Sequence, residues 1–220
     1  MSQLGGERWD EIDAERYRRW LARVDAVIER SASASDGSSD PIGFSVLLPV
    51  YNPNVAWLDE AIDSVVQQRH SRWELLVVDD GSIDRAHLPP LRARCLTDPR
   101  ISVTELAANG GIAQATNEAA RRARERWIVF LDQDDRLHPG CLSLLARWIE
   151  RYPEVELIYT DEDKLDAQGQ RCAPHFKPEF NLDLLRCVNY FCHCVAMRAD
   201  LFERLGGLRS VCDGAQDWDL

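Results

Sequence analysis

The chain has 220 residues, 45% of them hydrophobic and 29% charged, with a formal net charge of −11 at pH 7. This length suits one sizeable α/β domain with appendages, and the negative charge argues against a nucleic-acid partner, because phosphate backbones bind to basic surfaces. A smaller phosphate-bearing ligand is not excluded, since a divalent cation can supply positive charge locally.

The first segment, residues 1–30, is predicted to be an amphipathic helix. Its apolar residues between 7 and 30 form one stripe at helical spacing. The stripe either packs on its own domain or docks onto a protein partner or a membrane surface. Acidic residues between 7 and 15 weaken the membrane version, and we favour packing. Residues 31–43 are small, polar and turn-forming, which predicts a linker.

The seven cysteines are scattered along the chain, and the opening residues lack the apolar core of a secretory signal. Both features are typical of a cytoplasmic protein with reduced thiols, with attachment to the inner face of a membrane through residues 7–30 as the alternative. A zinc site would use Cys187, Cys192, His193 and Cys194. We favour free thiols because paired C-x-x-C knuckles are missing from the sequence.

Strand-like and helix-like segments alternate from residue 44 to residue 160. Apolar runs predict strands at 44–50, 74–78, 101–106, 127–131 and 155–160. The segments between them predict helices at 58–66, 85–96, 112–126 and 139–152. Fully apolar strands joined by helices indicate an α/β fold with a mostly parallel sheet covered on both faces.

Acidic clusters follow three of these strands, at 79–80, 132–135 and 161–164. Ligands of open α/β sheets bind at the carboxyl ends of the strands. Asp132, Asp134 and Asp135 repel one another unless a cation lies among them, and a hard divalent ion with oxygen ligands would fit. The alternative is a solvated loop in which Asp135 caps the following helix.

The other polar motifs each have a structural alternative as well. Asp79 and Asp80 either form a turn with Gly81-Ser82 or accept hydrogen bonds from a base or ribose. Residues 109–117 open a helix with glycines and small residues, and a helix N-terminus can bind phosphate. Neither a G-x-G-x-x-G nor a P-loop pattern occurs in the sequence. The cluster at 161–164 is a charged turn or part of the pocket, and His193 could equally be a core histidine.

Taken together, these motifs resemble the family-2 glycosyltransferases. They are 45–52 (SVLLPVYN), 77–82 (VVDDGS), 109–111 (NGG) and 131–135 (LDQDD). The resemblance covers roughly 44–220 and implies the GT-A fold and a sugar-nucleotide donor. The later segments 159–164, 176–178 and 189–193 resemble the subgroup that builds bacterial O-antigen or related surface polysaccharides.

The resemblance implies a donor site and a metal site. The implied donor residues are Pro49, Tyr51, Asn52, Asp79, Asp80, Asn109, Gly111 and Asp132. Asp134 is the implied ligand of Mg²⁺ or Mn²⁺, with Asp132 beside it and nearer the ribose. UDP, dTDP and GDP donors all occur in such enzymes.

The segment 214–220 (GAQDWDL) resembles the acceptor-side motif that supplies the catalytic base. Asp217 is then the base, and Asp219 is a capping or structural acid. The implied acceptor-side residues are Asp161, Asp163, His193 and Gln216. The expected reaction is an inverting transfer to a hydroxyl of a saccharide or lipid-linked acceptor, in which Asp217 takes the proton.

Three rival functions remain. The family usually continues beyond this motif, whereas this sequence stops at Leu220, so we expect a truncated domain, or a non-catalytic binding module. A Rossmann oxidoreductase is disfavoured by the missing glycine fingerprint. A nucleotidyltransferase would carry a glycine-rich basic loop where residues 49–53 (PVYNP) stand.

Overall fold

The computed structural model describes the backbone of residues 6–33 and 42–220 and the side chains of residues 14–28 and 42–220. Helix α1 spans Gly6–Ser33. It therefore includes residues 31–33, which the sequence assigned to the linker. Residues 34–41 of the predicted linker and residues 1–5 lie outside the described residues. Within the described residues, no helix has both the length and the apolar composition that a membrane span requires.

Alternating strands and helices follow, as the sequence predicted. In chain order they are β1 (Phe44–Val50), α2 (Val55–Val66), β2 (Trp73–Asp79), α3 (Leu88–Thr97), β3 (Ile101–Glu105), α4 (Ile112–Arg122), β4 (Trp127–Phe130), α5 (Cys141–Arg151) and β5 (Leu157–Tyr159). Every residue of β2 is buried, because apolar side chains on both faces of a strand need cover on both sides of the sheet.

Six strands form the main sheet, in the order β3-β2-β1-β4-β8-β5, where β8 is Val195–Arg198. Pairs among β1 to β4 are parallel, whereas β8 runs antiparallel between β4 and β5. The α/β prediction of a mostly parallel sheet is confirmed. The sequence did not predict β8, whose four residues acquire their place from the strands on either side.

Two apolar clusters cover the two faces of the sheet. One contains Leu58 of α2, Leu91 of α3 and Leu142 of α5. The other contains Ala115 of α4 together with Phe202 of helix α7, which spans Ala199–Leu205. This double cover fixes the sheet and leaves its carboxyl edge to the loops that carry the acidic motifs.

The remaining elements lie beyond β5. A second, two-stranded sheet pairs β6 (Glu162–Leu165) with β7 (Arg171–His175), and helices α6 (Leu182–Cys187) and α8 (Gln216–Asp219) follow. The acidic cluster 161–164, predicted to follow the fifth strand, is therefore only partly a loop. Asp161 follows β5, but Glu162 and Asp163 lie inside β6, because that strand forms an antiparallel hairpin with β7.

Helix α1 lies on the β6–β7 hairpin. The Tyr17 hydroxyl donates a hydrogen bond to Asp163. Arg171 of β7 joins the same contact, with its Nε 2.6 Å from Asp163 and its Nη1 3.1 Å from Asp25 of α1. The rings of Trp20 and Phe176 meet edge to face at 4.9 Å. Trp20 of the apolar stripe thus contacts its own domain, whereas Val27 is exposed, and packing of the whole stripe stays a prediction.

Candidate active site

The loop after β1 is tied to the loops that follow the two neighbouring strands. Tyr51 donates its backbone N–H to Gln133 Oε1 at 2.9 Å, and Gln133 Nε2 donates to the Tyr51 carbonyl at 3.2 Å. Asn52 has a left-handed φ of 43°, donates its N–H to the Ser82 hydroxyl and accepts from the N–H of Ile83. The predicted donor loop Pro49–Asn52 is therefore held against both acidic motifs. Gln133, which the sequence did not single out, makes one of these links.

Asp79 lies fully buried beneath this edge. Its carboxylate accepts the backbone N–H of Ser82 at 3.2 Å and faces His87 Nε2 at 3.0 Å. His87 is buried as well, and the sequence did not predict its role. Both oxygens of Asp79 are thus engaged by the protein, and a direct contact between Asp79 and a nucleoside stays a prediction.

Asp80 organises the glycine loop before α4. Its Oδ1 accepts the N–H of Gly110 at 2.9 Å, and its Oδ2 accepts the N–H of Gly111 at 2.8 Å and the side-chain amide of Asn109 at 2.9 Å. The structure therefore brings together three residues of the predicted donor site. It shows Asp80 as the acid that shapes the loop.

Replacing Asp80 with Asn is expected to lower the free energy of unfolding by about 1–3 kcal/mol, because an amide offers one acceptor oxygen to three donors and leaves partly buried N–H groups unsatisfied. Urea denaturation measures the change. Asp84→Asn is the matched control, since Asp84 is exposed and accepts the N–H of Ala86, a hydrogen bond that an amide oxygen can also accept. Equal stability of the two variants would contradict this role of Asp80.

The N-terminus of α4 is occupied by a carboxylate of the protein itself. Gly111 precedes the helix with φ 91°, and a Cβ added there would lie 2.0 Å from Asp213 Oδ2. Asp213 Oδ1 accepts the N–H of Ala113 at 3.2 Å. The Asp213 carboxylate thus accepts one N–H group of this helix end, and the absence of a side chain at Gly111 permits its close approach. The phosphate site that the sequence suggested here stays a prediction.

The acidic loop after β4 meets His193. The Nδ1 atom of His193 lies 2.7 Å from Asp135 Oδ2 and 3.4 Å from Asp132 Oδ2. Hydrogen bonds to Asp132 and Asp135 raise the pKa of His193 to about 11, so its imidazole is positively charged at neutral pH. The mutual repulsion expected in this loop is therefore relieved by a cationic side chain 58 positions along the sequence from Asp135.

A potential metal site is formed by Asp132, Asp135 and His193, whose potential ligand atoms lie within 4.8 Å of one another. Carboxylate oxygens suit Mg²⁺ or Mn²⁺, and imidazole is an acceptable further ligand for transition metals. Asp134, the ligand implied by the family resemblance, is exposed and lies outside this group. Its role stays a prediction, whereas Asp135, interpreted earlier as a helix cap, joins the group.

Asp217 of α8 lies close enough to this group to interact electrostatically with it. Asp217 is exposed at the domain surface. Partial desolvation by neighbouring groups and the negative charge of Asp132 raise the pKa of its carboxyl above the usual range, partly offset by His193 and by a hydrogen bond with Gln216. Helix α8 is anchored by Trp218, whose indole N–H donates to the Leu185 carbonyl of α6 at 2.7 Å. His193 thus contacts Asp132, Asp217 lies within electrostatic reach of Asp132, and Gln216 is hydrogen-bonded to Asp217.

The two other predicted acceptor-side acids are engaged elsewhere. Asp161 is exposed and accepts the backbone N–H of Lys177 at 2.7 Å. Asp163 faces Tyr17 of α1 and Arg171. The contacts of Asp163 therefore connect it to the N-terminal helix, and its place at the acceptor stays a prediction.

The cysteines named for a zinc site do not converge. Cys194 Sγ lies 4.0 Å from Cys141 Sγ, while Cys192 Sγ points to Glu162 Oε1 at 3.9 Å. Glu162, Cys192 and His193 could share an ion by distance alone. The Lys177 ammonium, however, lies 2.9 Å from Glu162 Oε2, so a positive group already serves this carboxylate.

The sequence of this chain matches one protein family and several proteins of bacteria. The sequence model of the family described as Glycosyl transferase family 2 matches residues 45–206. The uncharacterised protein y4gI of Sinorhizobium fredii is 44% identical over 176 residues, which cover 80% of this chain and 19% of that protein. The O-antigen biosynthesis protein RfbC of Myxococcus xanthus is 40% identical over 209 residues, covering 93% of this chain and 16% of that protein. The chain thus spans less than a fifth of the length of these relatives.

Two solved structures share the fold. S. aureus TarS 1–349 in complex with UDP superposes with a TM-score of 0.65 at 22% identity, over 80% of this chain and 53% of that one. The mannosyltransferase PcManGT from Pyrobaculum calidifontis, in complex with GDP-Man and Mn²⁺, gives 0.61 at 21% identity, over 90% and 59%. At these identities the likeness establishes the shared GT-A architecture alone.

Proposed function

The chain belongs to glycosyltransferase family 2, and on that premise we propose that it transfers a sugar from a nucleoside-diphosphate donor to an acceptor hydroxyl with inversion. The observation that carries the proposal is the group at the carboxyl edge of the sheet. There Asp217, with a raised pKa, interacts with Asp132 of the Asp132–Asp135–His193 cluster. A base beside a potential cation site is what a one-step displacement from a diphosphate leaving group requires.

Asp217 has the properties of a general base. Its raised pKa makes the carboxylate a better proton acceptor than an ordinary aspartate. As the acceptor oxygen bonds to the anomeric carbon, its proton passes to Asp217. The bond from that carbon to the diphosphate oxygen breaks on the opposite side, and the nucleoside diphosphate leaves with the electron pair. One displacement inverts the anomeric configuration.

Asp132 and Asp135, with His193, are the residues that would hold Mg²⁺ or Mn²⁺. The fit rests on the two carboxylates, because acids that require a positive partner also attract a divalent ion. His193 Nδ1, which faces both acids, would have to lose its proton before it could serve as a ligand. When bound, the ion supplies positive charge against the diphosphate. The Pro49–Asn52 loop and the glycine loop held by Asp80 shape the donor pocket beside it.

The comparisons support this donor and acceptor class without extending to this chain's own substrates. TarS is described with UDP and PcManGT with GDP-Man and Mn²⁺, and RfbC is named for O-antigen biosynthesis. We therefore propose a role in surface-polysaccharide synthesis. A saccharide or lipid-linked acceptor is part of the proposal.

Calorimetric titration with UDP, dTDP, GDP and NAD, each with and without Mn²⁺, tests the donor site. We expect one nucleoside diphosphate to bind, more tightly with Mn²⁺, and NAD not to bind. Release of the same diphosphate from its sugar nucleotide then tests catalysis. Binding without release would favour a non-catalytic binding module, and the failure of all four ligands to bind would overturn the proposed donor site.

A further inference from the structure

Lys177 is a buried lysine beside the candidate active site, in the loop that follows β7. Its side chain is 1% exposed. The ammonium group donates hydrogen bonds to the backbone carbonyls of Cys192 and His193, the latter at 2.9 Å. It also lies 2.9 Å from Glu162 Oε2. Two of the three N–H donors of the lysine are therefore used on the backbone carbonyls. The contact with Glu162 is an ion pair, because Glu162 Oε2 has no hydrogen-bond partner among the described residues.

Lys177 and its partner Glu162 are each held by a further contact. The backbone N–H of Lys177 donates to Asp161 at 2.7 Å, and Glu162 Oε1 lies 3.0 Å from His175 Nδ1. The motif around 161–164, the segment at 176–178 and the segment at 189–193 were separate in the sequence. In the structure they meet at one ammonium group.

His193 has a backbone conformation that needs such support. Its φ is 29°, in the left-handed region that costs energy for a residue with a Cβ. Such a residue persists only where its surroundings over-determine it, and such sites are often functional. Lys177 binds the carbonyl before His193 and the carbonyl of His193 itself, and therefore constrains the peptide groups on both sides of this residue.

We propose that Lys177 is a positioning residue for the candidate site, holding the 192–193 turn so that the His193 imidazole meets Asp132 and Asp135. The inference rests on the proposed function for the meaning of that cluster. Lys177 does not act on the substrate, because its ammonium group is enclosed by the three groups named above. Its effect reaches the site through the orientation of one imidazole ring.

Lys177→Met tests the proposal, with Lys164→Met as the matched control from the exposed face of β6. The first readout is the NMR signal of the His193 Nδ1–H at one fixed pH. We expect the downfield, slowly exchanging proton of a hydrogen bond to a carboxylate in the unmodified chain and in Lys164→Met, and its loss in Lys177→Met. Retention of the signal in Lys177→Met would overturn the proposal.

The second readout is the binding of Mn²⁺ alone, measured from the EPR signal of the free ion. Residues that orient metal ligands typically change metal affinity 10–100-fold, and we expect a loss in that range for Lys177→Met. If the unmodified chain binds no Mn²⁺ yet the His193 signal responds as expected, the metal part of the proposed function fails while the positioning role stands.

The double variant Glu162→Gln/Lys177→Met separates positioning from simple charge balance. Removing lysine alone leaves a partly buried carboxylate without its cation, which can unfold the hairpin, whereas the double variant avoids that. We expect the double variant to fold, by circular dichroism and thermal melting, and still to lack the His193 signal. Recovery of that signal in the double variant would mean that Lys177 only neutralises Glu162, and the proposal would fall.

Discussion

Replacing Asp217 with Asn is expected to lower the release of nucleoside diphosphate from the sugar nucleotide by about 10²–10⁴-fold, the usual contribution of a general base. An amide is nearly isosteric with the carboxylate but cannot accept the proton of the attacking hydroxyl or water. Donor binding, measured by calorimetry, is expected to stay unchanged, because Asp217 is not among the predicted donor residues. The rate is measured in a coupled assay for the released diphosphate.

Asp219→Asn is the control from the same short helix. Asp219 pairs with Arg209, so its replacement perturbs the packing of α8 without removing the proposed base. We expect near-normal release. Loss of activity in both variants, or retention in both, would contradict the assignment of Asp217.

The pH dependence of the same reaction follows from the raised pKa of Asp217. A base acts when deprotonated, so the rate should fall as the pH drops through the pKa of Asp217. Partial desolvation together with the charge of Asp132 places that pKa above the ordinary aspartate value. The residual activity of Asp217→Asn should no longer show this fall in rate at low pH.

The sheet was predictable to the extent that its strands are apolar throughout. The runs that became β1, β2 and β4 are buried on both faces, and burial of that kind is visible locally as an uninterrupted apolar segment. Strand β8 was not predictable in this way. It pairs Trp127 with Arg198, which are 71 positions apart in the sequence, and its four residues carry no local signal strong enough to indicate a strand.

The candidate site was predictable as a set of loops but not as a set of contacts. Strand-end position identified the acidic motifs, because parallel strands bring their carboxyl ends to one edge. The turn that follows each strand decides whether its carboxylate points into the candidate site or bonds to other groups of the protein. Asp79 and Asp80 turn inward to His87 and the glycine loop, and local sequence does not specify these long-range partners.

The same limit explains His193 and Lys177. Each lies in a segment whose motif could be recognised, but its partners come from other segments: Asp132 and Asp135 after β4 for His193, and Glu162 and the 192–193 turn for Lys177. Local sequence does not specify such partners, and the acceptor-side role of His193 stays a prediction.

Replacing Asp132 with Asn is expected to weaken the Mn²⁺-dependent part of nucleotide binding by at least about 10–100-fold, since even residues that only orient metal ligands have effects of that size. Asp132 belongs to the potential metal group and also contributes the charge that raises the pKa of Asp217. The variant should therefore also lower the pKa of Asp217 and make that base weaker. Calorimetry with and without Mn²⁺ separates metal-dependent from metal-independent binding.

Asp134→Asn and Asp135→Asn decide which carboxylate accompanies Asp132. The family resemblance implies Asp134, whereas the structure leaves Asp134 exposed and places Asp135 2.7 Å from His193. If the group seen in the structure is the metal site, Asp135→Asn should match Asp132→Asn and Asp134→Asn should bind Mn²⁺ and nucleotide normally. The reverse order would mean that the loop after β4 turns Asp134 into the pocket when the donor and the ion bind, and that the pairing of Asp135 with His193 belongs to the ligand-free state.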